Sequence, residues 1–414
     1  MSEVVSLSDP QSIPLSEIDV SNPSLYEANR HWPYFERLRR EAPIHYCANS
    51  TFGPYWSVTR YDDIMAVEND HETFSSEPAI VIGDQDPNFT VKQFIASDPP
   101  IHDQQRKAVM PAVTPQNLAK LEPLIRRRIG KIMDELPIGE TFDWVDRVSI
   151  ELTTQMLATL FDFPFEQRRK LTYWSDMATA SEEIAGDDSV SAEERQAALN
   201  ECLAAFTEIW NERAQRSLEG ANDFITLMAH SKHFQNMDPM ELLGNLILLI
   251  VGGNDTTRNS ISGGVLMLNE NPGEYDKLRA DHSLVPGMVS EIIRYQTPLM
   301  HMRRTATKDT TLGGQSIRKG DKVVLWYVSA NRDATKIDRP DEFIIDRKNP
   351  RQHISFGFGV HRCMGNRLAE MQLRLVWEEI LSRFEKIEIM EPPERLKSNF
   401  VRGITRMLVR VHAK

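Results

Sequence analysis

One helix limits the folds open to this chain more than any other feature. Asp238-Pro239 is a good N-cap and first-turn pair, and Asn271-Pro272 is a good stop signal. The more than thirty residues between them have helical periodicity, which predicts a rod of roughly 50 Å at 1.5 Å per residue. A rod of that length must cross most of a globular protein, so the other elements have to pack around it.

The middle of this helix carries a weak point. Gly252-Gly253-Asn254-Asp255-Thr256-Thr257 interrupts the apolar pattern, and each interior glycine costs about 1 kcal/mol relative to alanine. Glycines let a ligand lie against the backbone, and Thr256 can donate to a carbonyl one turn earlier and widen the helix. Close helix–helix packing at the glycines, with a solvated Asp255, is an equally good interpretation of this segment taken alone.

A single cysteine lies just before the last helical pattern, in the segment Phe356-Gly357-Phe358-Gly359-Val360-His361-Arg362-Cys363-Met364-Gly365. The N–H groups and the dipole at a helix N-terminus favour the thiolate form of Cys363. Gly359 and Gly365 allow tight turns and a close approach to a flat ligand, while Phe356 can shield the sulfur from water. A thiolate held in this way is either a metal ligand or a nucleophile.

The rest of the sequence predicts a mainly α fold with minor β sheets. Helical periodicity dominates between Thr114 and Tyr295. Residues 1 to about 25, rich in Ser, Pro and acidic groups, are expected to run irregularly over the surface, and residues 26–414 are expected to form a single domain. Helices are predicted over 118–136, 144–161, 193–216 and 364–384 and from Pro33 onward, and strands over 43–46, 55–60, 310–312, 323–329 and 404–412.

Composition excludes several classes of protein. A formal net charge of −12 on 414 residues argues against a nucleic-acid binder. The longest strongly apolar stretch, Leu246 to Val251, is too short to span a bilayer. No Lys or Arg precedes Arg30, so the basic n-region of a secretory signal peptide is not expected. Three cysteines at unrelated spacings argue against a disulfide framework. These features predict a soluble, cytoplasmic protein.

Five ordered motifs, extending over nearly the whole chain, resemble those of the cytochrome P-450 monooxygenases. The segment around Cys363 resembles the family's haem-thiolate loop, and the segment 252–256 resembles its oxygen-activating helix. The resemblance implies the cytochrome P-450 fold, with haem b between the long central helix and the C-terminal cysteine loop. The other matching motifs are Glu291-Ile292-Ile293-Arg294, Asn331-Arg332-Asp333 with Pro340-Asp341-x-Phe343, and Asp98-Pro99-Pro100-x-His102-x-x-x-Arg106.

The resemblance also implies roles for individual residues. Cys363 would be the proximal iron ligand, and Asp255 and Thr256 would deliver protons during the activation of O2. Glu291 and Arg294, three residues apart on one helical face, would form a structural pair. Phe356 and Gly365 would lie against the haem, and the partners of its propionates would be His102, Arg106, Arg304 and His361.

Electrons are expected to come from NAD(P)H through separate proteins, because no segment resembles a flavin or nicotinamide fingerprint. The resemblance implies a ferredoxin and a ferredoxin reductase as partners. Basic residues near the cysteine loop would form a docking face for an acidic ferredoxin, although scattered solvated arginines are the alternative. The candidates for this face are Lys107, Arg126, Arg127, Arg128, Arg351, Arg362, Arg367 and Arg374.

The substrate is expected to be apolar. Segments 252–260 and 297–306 are most similar to the bacterial terminal alkane hydroxylases, which oxidise the end methyl of medium-chain n-alkanes and often of fatty acids. A residue at a position that contacts substrate in this family is, taken individually, more often a core residue than a substrate contact. These residues are Phe94, Ile95, Leu248, Val251, Gly252, Leu299, Met300, Met302, Phe400 and Val401.

Three other functions compete with this interpretation. A related cytochrome P-450 could act on a terpenoid or steroid, or use peroxide, although peroxide users of the family usually lack the acid–alcohol pair that Asp255-Thr256 provides. A non-catalytic haem-thiolate sensor would need neither a proton relay nor a docking face. A cysteine hydrolase would leave the glycine-interrupted helix without a purpose.

Overall fold

The long helix forms as its sequence signals predict. In the computed structural model, which describes residues 9–180, 184, 190–235 and 237–414, it runs from Pro239 to Glu270. The Asp238 carboxylate accepts a hydrogen bond from the N–H of Glu241 at 2.9 Å, which caps the helix. Asn271 ends the helix and leads into the next one.

Helices supply most of the structure, with short 3₁₀ segments and one π-helical turn between some of them. The α-helices are α1 (Ser24–Glu27), α2 (Trp32–Glu41), α3 (Tyr61–Asn69), α4 (Ile101–Val109), α5 (Pro115–Asp134), α6 (Glu151–Phe161), α7 (Arg169–Thr179), α8 (Ala192–Arg213), α9 (Phe224–Ala229), α10 (Pro239–Glu270), α11 (Pro272–Ala280), α12 (Val285–Gln296), α13 (Tyr327–Ala330) and α14 (Asn366–Arg383).

Among the residues that the structure describes, four small sheets complete the fold, and the mainly α architecture with minor β sheets is confirmed. The largest sheet has the strand order β1-β2-β8-β5-β3, a second has the order β4-β12-β9, and β6–β7 and β10–β11 are two-stranded. The strands are β1 (Ile44–Cys47), β2 (Tyr55–Val58), β3 (Phe74–Ser75), β4 (Thr141–Asp143), β5 (Met302–Ala306), β6 (Thr310–Leu312), β7 (Gln315–Ile317), β8 (Lys322–Leu325), β9 (Phe384–Ile389), β10 (Glu394–Arg395), β11 (Ile404–Arg406) and β12 (Leu408–Ala413).

The other helices pack around α10. It contacts α6, α7, α12 and α14 directly, and its buried apolar side chains belong to the largest core cluster of the protein. At Gly264 an added Cβ would lie 2.8 Å from Ile292 of α12 and 3.2 Å from Trp377 of α14. Small residues therefore let α12 and α14 approach α10 closely, and this contact fixes the segment that precedes α14 relative to the middle of α10.

Three expectations about local structure are wrong in part. Residues 9–25 do not only run over the surface, because Ile18 and Val20 are buried in a core cluster with Trp326. The strand expected over 323–329 ends at Leu325 and is followed by helix α13. The helix expected over 144–161 begins with a π-helical turn, Val145–Ile150, before α6.

Within the described ranges, no helix combines the length and the hydropathy needed to cross a bilayer.

Candidate active site

A cavity of about 300 Å³ lies between α10 and the cysteine loop, here meaning Phe356–Gly365. Its wall contains Thr256 on one side and Cys363 on the other, together with mostly apolar side chains. Two predicted substrate residues lie elsewhere: Met300 is buried in the core around Trp326, and Val401 pairs with Leu299 through a β-bridge. The predicted substrate residues that do line the cavity are Phe94, Ile95, Leu248, Val251, Gly252, Leu299, Met302 and Phe400.

The cysteine loop is closed by its own backbone. The N–H of Cys363 donates to the carbonyl oxygen of Phe356 at 2.8 Å. Gly357 and Gly359 have positive φ angles of 65° and 63°, a conformation that side chains with a Cβ rarely adopt. A Cβ at Gly359 would also overlap the carbonyl of Glu68. Gly365 has an ordinary φ, so the tight turns come from Gly357 and Gly359, and Gly365 instead leaves room beside the sulfur, 4.0 Å from where its Cβ would lie.

Two opposing effects act on the Cys363 thiol. Desolvation raises its pKa, whereas the N–H groups of Gly365 and Asn366, at the start of α14, and the charges of Arg106 and Arg362 lower it. Desolvation is the larger effect, while the N–H groups at the start of α14 act in the expected direction and favour the thiolate. A bound metal cation would favour the thiolate further, because coordinating thiols are deprotonated.

The glycine pair of α10 serves two different purposes. No atom lies within 4 Å of where a Cβ of Gly252 would be, and Gly252 lines the cavity, whereas a Cβ at Gly253 would lie 2.8 Å from Leu157 of α6. Helix packing therefore explains Gly253, and open space beside the cavity explains Gly252. Thr256 donates through Oγ1 to the carbonyl of Gly252 at 2.9 Å, as the sequence predicts.

Asp255 is fully buried but does not contribute to the cavity wall. Its Oδ1 lies 2.9 Å from Nη2 of Arg258, and the same Nη2 lies 2.7 Å from Asp176 of α7. Burial raises the pKa of Asp255 to about 6, against the opposing effect of Arg258. The Asp255 carboxylate therefore lies behind the cavity wall, in contact with Arg258, and does not face the cavity.

All four predicted propionate partners meet at one side of the cavity. His102, Arg106, Arg304 and His361 line it, and the rings of His102 and His361 are 4.1 Å apart between centroids. Both imidazoles have lowered pKa values, through burial first and then through nearby arginine charges. Arg106 also donates to the carbonyl of Arg362 at 2.5 Å, which ties α4 to the cysteine loop.

A buried acid that the sequence did not indicate pairs with one of these arginines. Arg304 donates through Nη2 to Oε2 of Glu68 at 3.0 Å, and the Tyr327 hydroxyl donates to the other oxygen of Glu68. Tyr327 also lines the cavity. Glu68 lies among other acids on α3, and nothing in that stretch of sequence sets it apart. Only the fold brings it to Arg304.

Comparison with known proteins identifies the family. The family profile described as "Cytochrome P450" matches residues 32–410. The chain belongs to the cytochrome P-450 family. It is similar to the structure of cytochrome P-450-153 from Novosphingobium aromaticivorans, with a TM-score of 0.88, 45% identity and coverage of 95% of this chain and 99% of that one.

Two curated relatives are also similar over almost their full lengths. The linalool 8-monooxygenase of Pseudomonas putida is 36% identical over 94% of this chain and 98% of the relative. The methyl-branched lipid omega-hydroxylase of Mycobacterium bovis is 29% identical over 95% of each chain. The protein is thus a cytochrome P-450 monooxygenase with the fold of that family, which uses haem iron, O2 and electrons supplied by redox partners.

The residues around the cavity fit a haem. Cys363 provides a sulfur in the cavity wall, and Arg106 and Arg304 provide cations there. Nε2 of His102 and both ring nitrogens of His361 are buried without a hydrogen-bond partner among the described residues, which is the state expected of groups whose partners are carboxylates of a cofactor. In this cytochrome P-450, Cys363 would hold the iron and the four cationic or imidazole side chains would hold the propionates.

The Glu291–Arg294 pair of this cytochrome P-450 is buried and connected to the cysteine loop. Arg294 donates to Glu291 at 2.8 and 2.7 Å and to the carbonyl of Asn331 at 2.8 Å. The side chain of Asn331 in turn donates to Ser355 and accepts from the N–H of Ile354, at 2.8 and 2.9 Å. The pair therefore fixes the residues that lead directly into the cysteine loop.

The predicted basic face is smaller than the sequence suggested. Arg126 and Arg374 pair with Glu378 at 2.7 and 2.8 Å, and Arg351 pairs with Glu370 at 2.9 Å. Arg128 donates to the backbone of Gln155. These arginines are paired with acids or with the backbone and therefore contribute less positive charge to the docking face, which stays a prediction. The exposed candidates with no ion pair among the described residues are Lys107, Arg127, Arg362 and Arg367.

Proposed function

We propose that this cytochrome P-450 hydroxylates the terminal methyl group of a medium-chain linear substrate, an n-alkane or a fatty acid. The length and apolar character of the cavity carry the proposal. Its wall follows α10 from Ile247 to Ser260, thirteen residues or about 20 Å at 1.5 Å per residue. A long apolar cavity of this kind can bury an extended hydrocarbon chain and present its end to the haem.

Two similarities support the linear substrate. The chain is 45% identical to a cytochrome P-450-153, and a second relative is named an omega-hydroxylase of methyl-branched lipids. Selectivity for the chain end would come from positioning, because holding a substrate in a reactive orientation lowers the barrier at the carbon that faces the haem. Leu248, Val251 and Phe400 are suited to such packing, and the flexible Met302 can adapt to a featureless chain.

When bound, the haem would supply the activation of O2. The side chains around it would each have a separate role. Gly252 would leave room for the substrate end, while Thr256 would hold a proton at Oγ1 on the cavity wall. Asp255, whose pKa burial raises to about 6, would supply that proton from the side of α10 that faces away from the cavity. Arg106 and Arg304 would orient the haem through its propionates.

We propose a ferredoxin as the electron donor. Lys107, Arg127, Arg362 and Arg367 are exposed, and Arg362 and Arg367 flank the proximal cysteine, so an acidic partner docked there would bring its electron close to the iron. Because the protein's net charge of −12 repels an acidic partner, a local positive surface would be needed to steer such a partner to this face.

Product analysis tests the proposal. Holoenzyme supplied with a ferredoxin, a ferredoxin reductase and NADH is incubated separately with dodecane, dodecanoate and linalool, and the products are separated by gas chromatography. We expect oxidation at the terminal carbon of the linear chains. The second candidate function is oxidation of a terpenoid, favoured by the 36% identity to linalool 8-monooxygenase. Turnover of linalool with no turnover of either linear compound would replace the first proposal by the second.

A further inference from the structure

One buried carboxylate lies directly behind the part of the cavity wall where the propionate candidates meet. Glu68, near the end of α3, accepts a hydrogen bond from Arg304 at 3.0 Å, and its side chain is only 2% exposed. Its other carboxylate oxygen accepts from the hydroxyl of Tyr327. Both donors line the cavity, whereas the wall that the described residues form contains no Asp or Glu. Glu68 therefore places a negative charge immediately behind a haem-binding cation.

Glu68 also packs against the cysteine loop. A Cβ added at Gly357 would lie 3.3 Å from the hydroxyl oxygen of Tyr327 and 3.7 Å from Oε1 of Glu68. A Cβ at Gly359 would overlap the backbone carbonyl of Glu68. Glycine at these two positions lets the loop that carries Cys363 lie directly against this residue. The carboxylate is thus fixed beside a propionate candidate and beside the loop of the proximal thiolate.

Support of Arg304 alone is a weak reason for a buried acid, because the cost of desolvating two charges can exceed their attraction. The charge of Glu68 has a more direct effect on a bound haem. Reduction adds one electron at the iron, and a fixed negative charge nearby opposes that step, since the field of a buried charge is only weakly screened. Arg106 and Arg304 would balance the two propionates, so this set contains no further arginine to balance Glu68.

We propose that the charge of Glu68 lowers the reduction potential of the bound haem and so favours its ferric form. Glu68 acts here as a positioning residue, through the field of a side chain that does not line the cavity. Tyr327 holds the carboxylate in place through its hydroxyl. This role requires haem in the cavity but does not depend on which substrate the enzyme oxidises, so it is separate from the proposed function.

A potentiometric titration of the substrate-free holoenzyme measures this effect. Each protein is reduced stepwise with dithionite in the presence of redox mediators, and the Soret band gives the ratio of ferrous to ferric haem. We expect Glu68→Gln to raise this ratio at a fixed potential by about threefold or more, as for one unit charge removed at an effective dielectric constant of about 20. A tenfold rise would equal a shift of about 59 mV for a one-electron couple.

Two variants control for the shape of the side chain and for the total charge. Glu68→Asp keeps the carboxylate on a shorter side chain, so its potential should lie nearer to that of the wild type than to that of Glu68→Gln. Glu212→Gln removes a negative charge from a side chain that is 59% exposed and lies outside the cavity wall. Solvent screens that charge, so the potential should not change. An equal shift in Glu212→Gln would refute a local effect of Glu68.

Glu68→Ala separates the charge of Glu68 from its support of Arg304. Glutamine can still accept a hydrogen bond from Arg304 through its amide oxygen, whereas alanine removes both the charge and the contact. Similar positive shifts in the two variants support the proposal, because both lose the charge and only one loses the contact. A shift in Glu68→Ala alone, or in neither variant, refutes it. Loss of haem by both neutral variants but not by Glu68→Asp also refutes it, since the acid would then be required for structure.

Discussion

Removing the charge of Glu291 is the most direct test of how the cysteine loop is held. Five hydrogen bonds reach its two oxygens: two from Arg294 at 2.8 and 2.7 Å, two from Arg347 at 3.1 Å each, and one from the N–H of Ile344 at 2.9 Å. The Glu291 side chain has no exposed surface. Glu291→Gln keeps the shape of the side chain but leaves two buried guanidinium groups without their carboxylate.

The expected cost follows from burial. Breaking a buried ion pair by removing one partner costs about 3–5 kcal/mol, because the remaining charge stays buried without compensation. The chain contains a matched control in Glu378, which also binds two arginines, Arg126 at 2.7 Å and Arg374 at 2.8 Å, but whose side chain is 34% exposed. At such a site water replaces the lost partner, so Glu378→Gln should cost less than about 1 kcal/mol.

Urea denaturation followed by the fluorescence of the buried tryptophans measures both variants. With a urea slope of about 3 kcal/mol per molar, the midpoint should fall by about 1 M or more for Glu291→Gln and by much less for Glu378→Gln. Because the network continues through Asn331 to Ser355, the first variant should also lose the thiolate signature in its reduced carbon-monoxide spectrum. Equal midpoints for the two variants would refute the argument from burial.

Three other changes have defined outcomes. Thr256→Ala should raise the hydrogen peroxide released per O2 consumed, and full coupling to product would remove Thr256 from the proton relay. The pKa of Asp255 is raised to about 6, so between pH 4 and 6 the folded state holds a proton that the unfolded chain has released. The wild type should therefore lose up to about 3 kcal/mol of stability relative to Asp255→Asn over this range as pH rises, and a difference independent of pH would contradict the raised value. Arg367→Glu should slow reduction by a ferredoxin, with a loss that shrinks at high salt, whereas unchanged kinetics would exclude this surface as the docking site.

Local signals in the sequence predict the helices well and the ends of the sheets less well. The start and end of α10 follow from Asp238-Pro239 and Asn271-Pro272, since caps and prolines act over a single turn. The end of β8 did not follow, because residues 326–329 have the β-branched and aromatic composition of a strand. The fold nevertheless places residues 327–329 in helix α13, with Trp326 just before it, buried in the N-terminal core. That choice depends on packing partners hundreds of residues away, which no local pattern contains.

Part of the candidate site could likewise be predicted from the sequence, and part of it could not. Thr256, Cys363 and the apolar residues of α10 could be placed from motif and helical periodicity, because each lies in a segment whose geometry is local. Glu68 could not, since it becomes part of the site only through its contact with Arg304, 236 residues away. Met300 and Val401 were assigned to the pocket by position, yet their side chains point into packed neighbours. A segment beside a cavity contributes to its wall only the side chains that point toward the cavity, and the local backbone geometry decides which ones do.

Cofactor binding and folding are coupled in this arrangement. The polypeptide places the Cys363 thiol in the cavity wall, where desolvation raises its pKa, and among the described residues it leaves ring nitrogens of His102 and His361 buried without partners. Each is a cost that the protein alone does not recover. A bound haem would offset all of them at once, because Cys363 would hold its iron as the thiolate and the imidazoles and Arg106 would donate hydrogen bonds to its propionates. Since the same ligand binds the folded state only, its binding free energy adds to folding stability. Substitutions at these positions should therefore be read as changes in haem retention first and in reaction rate second.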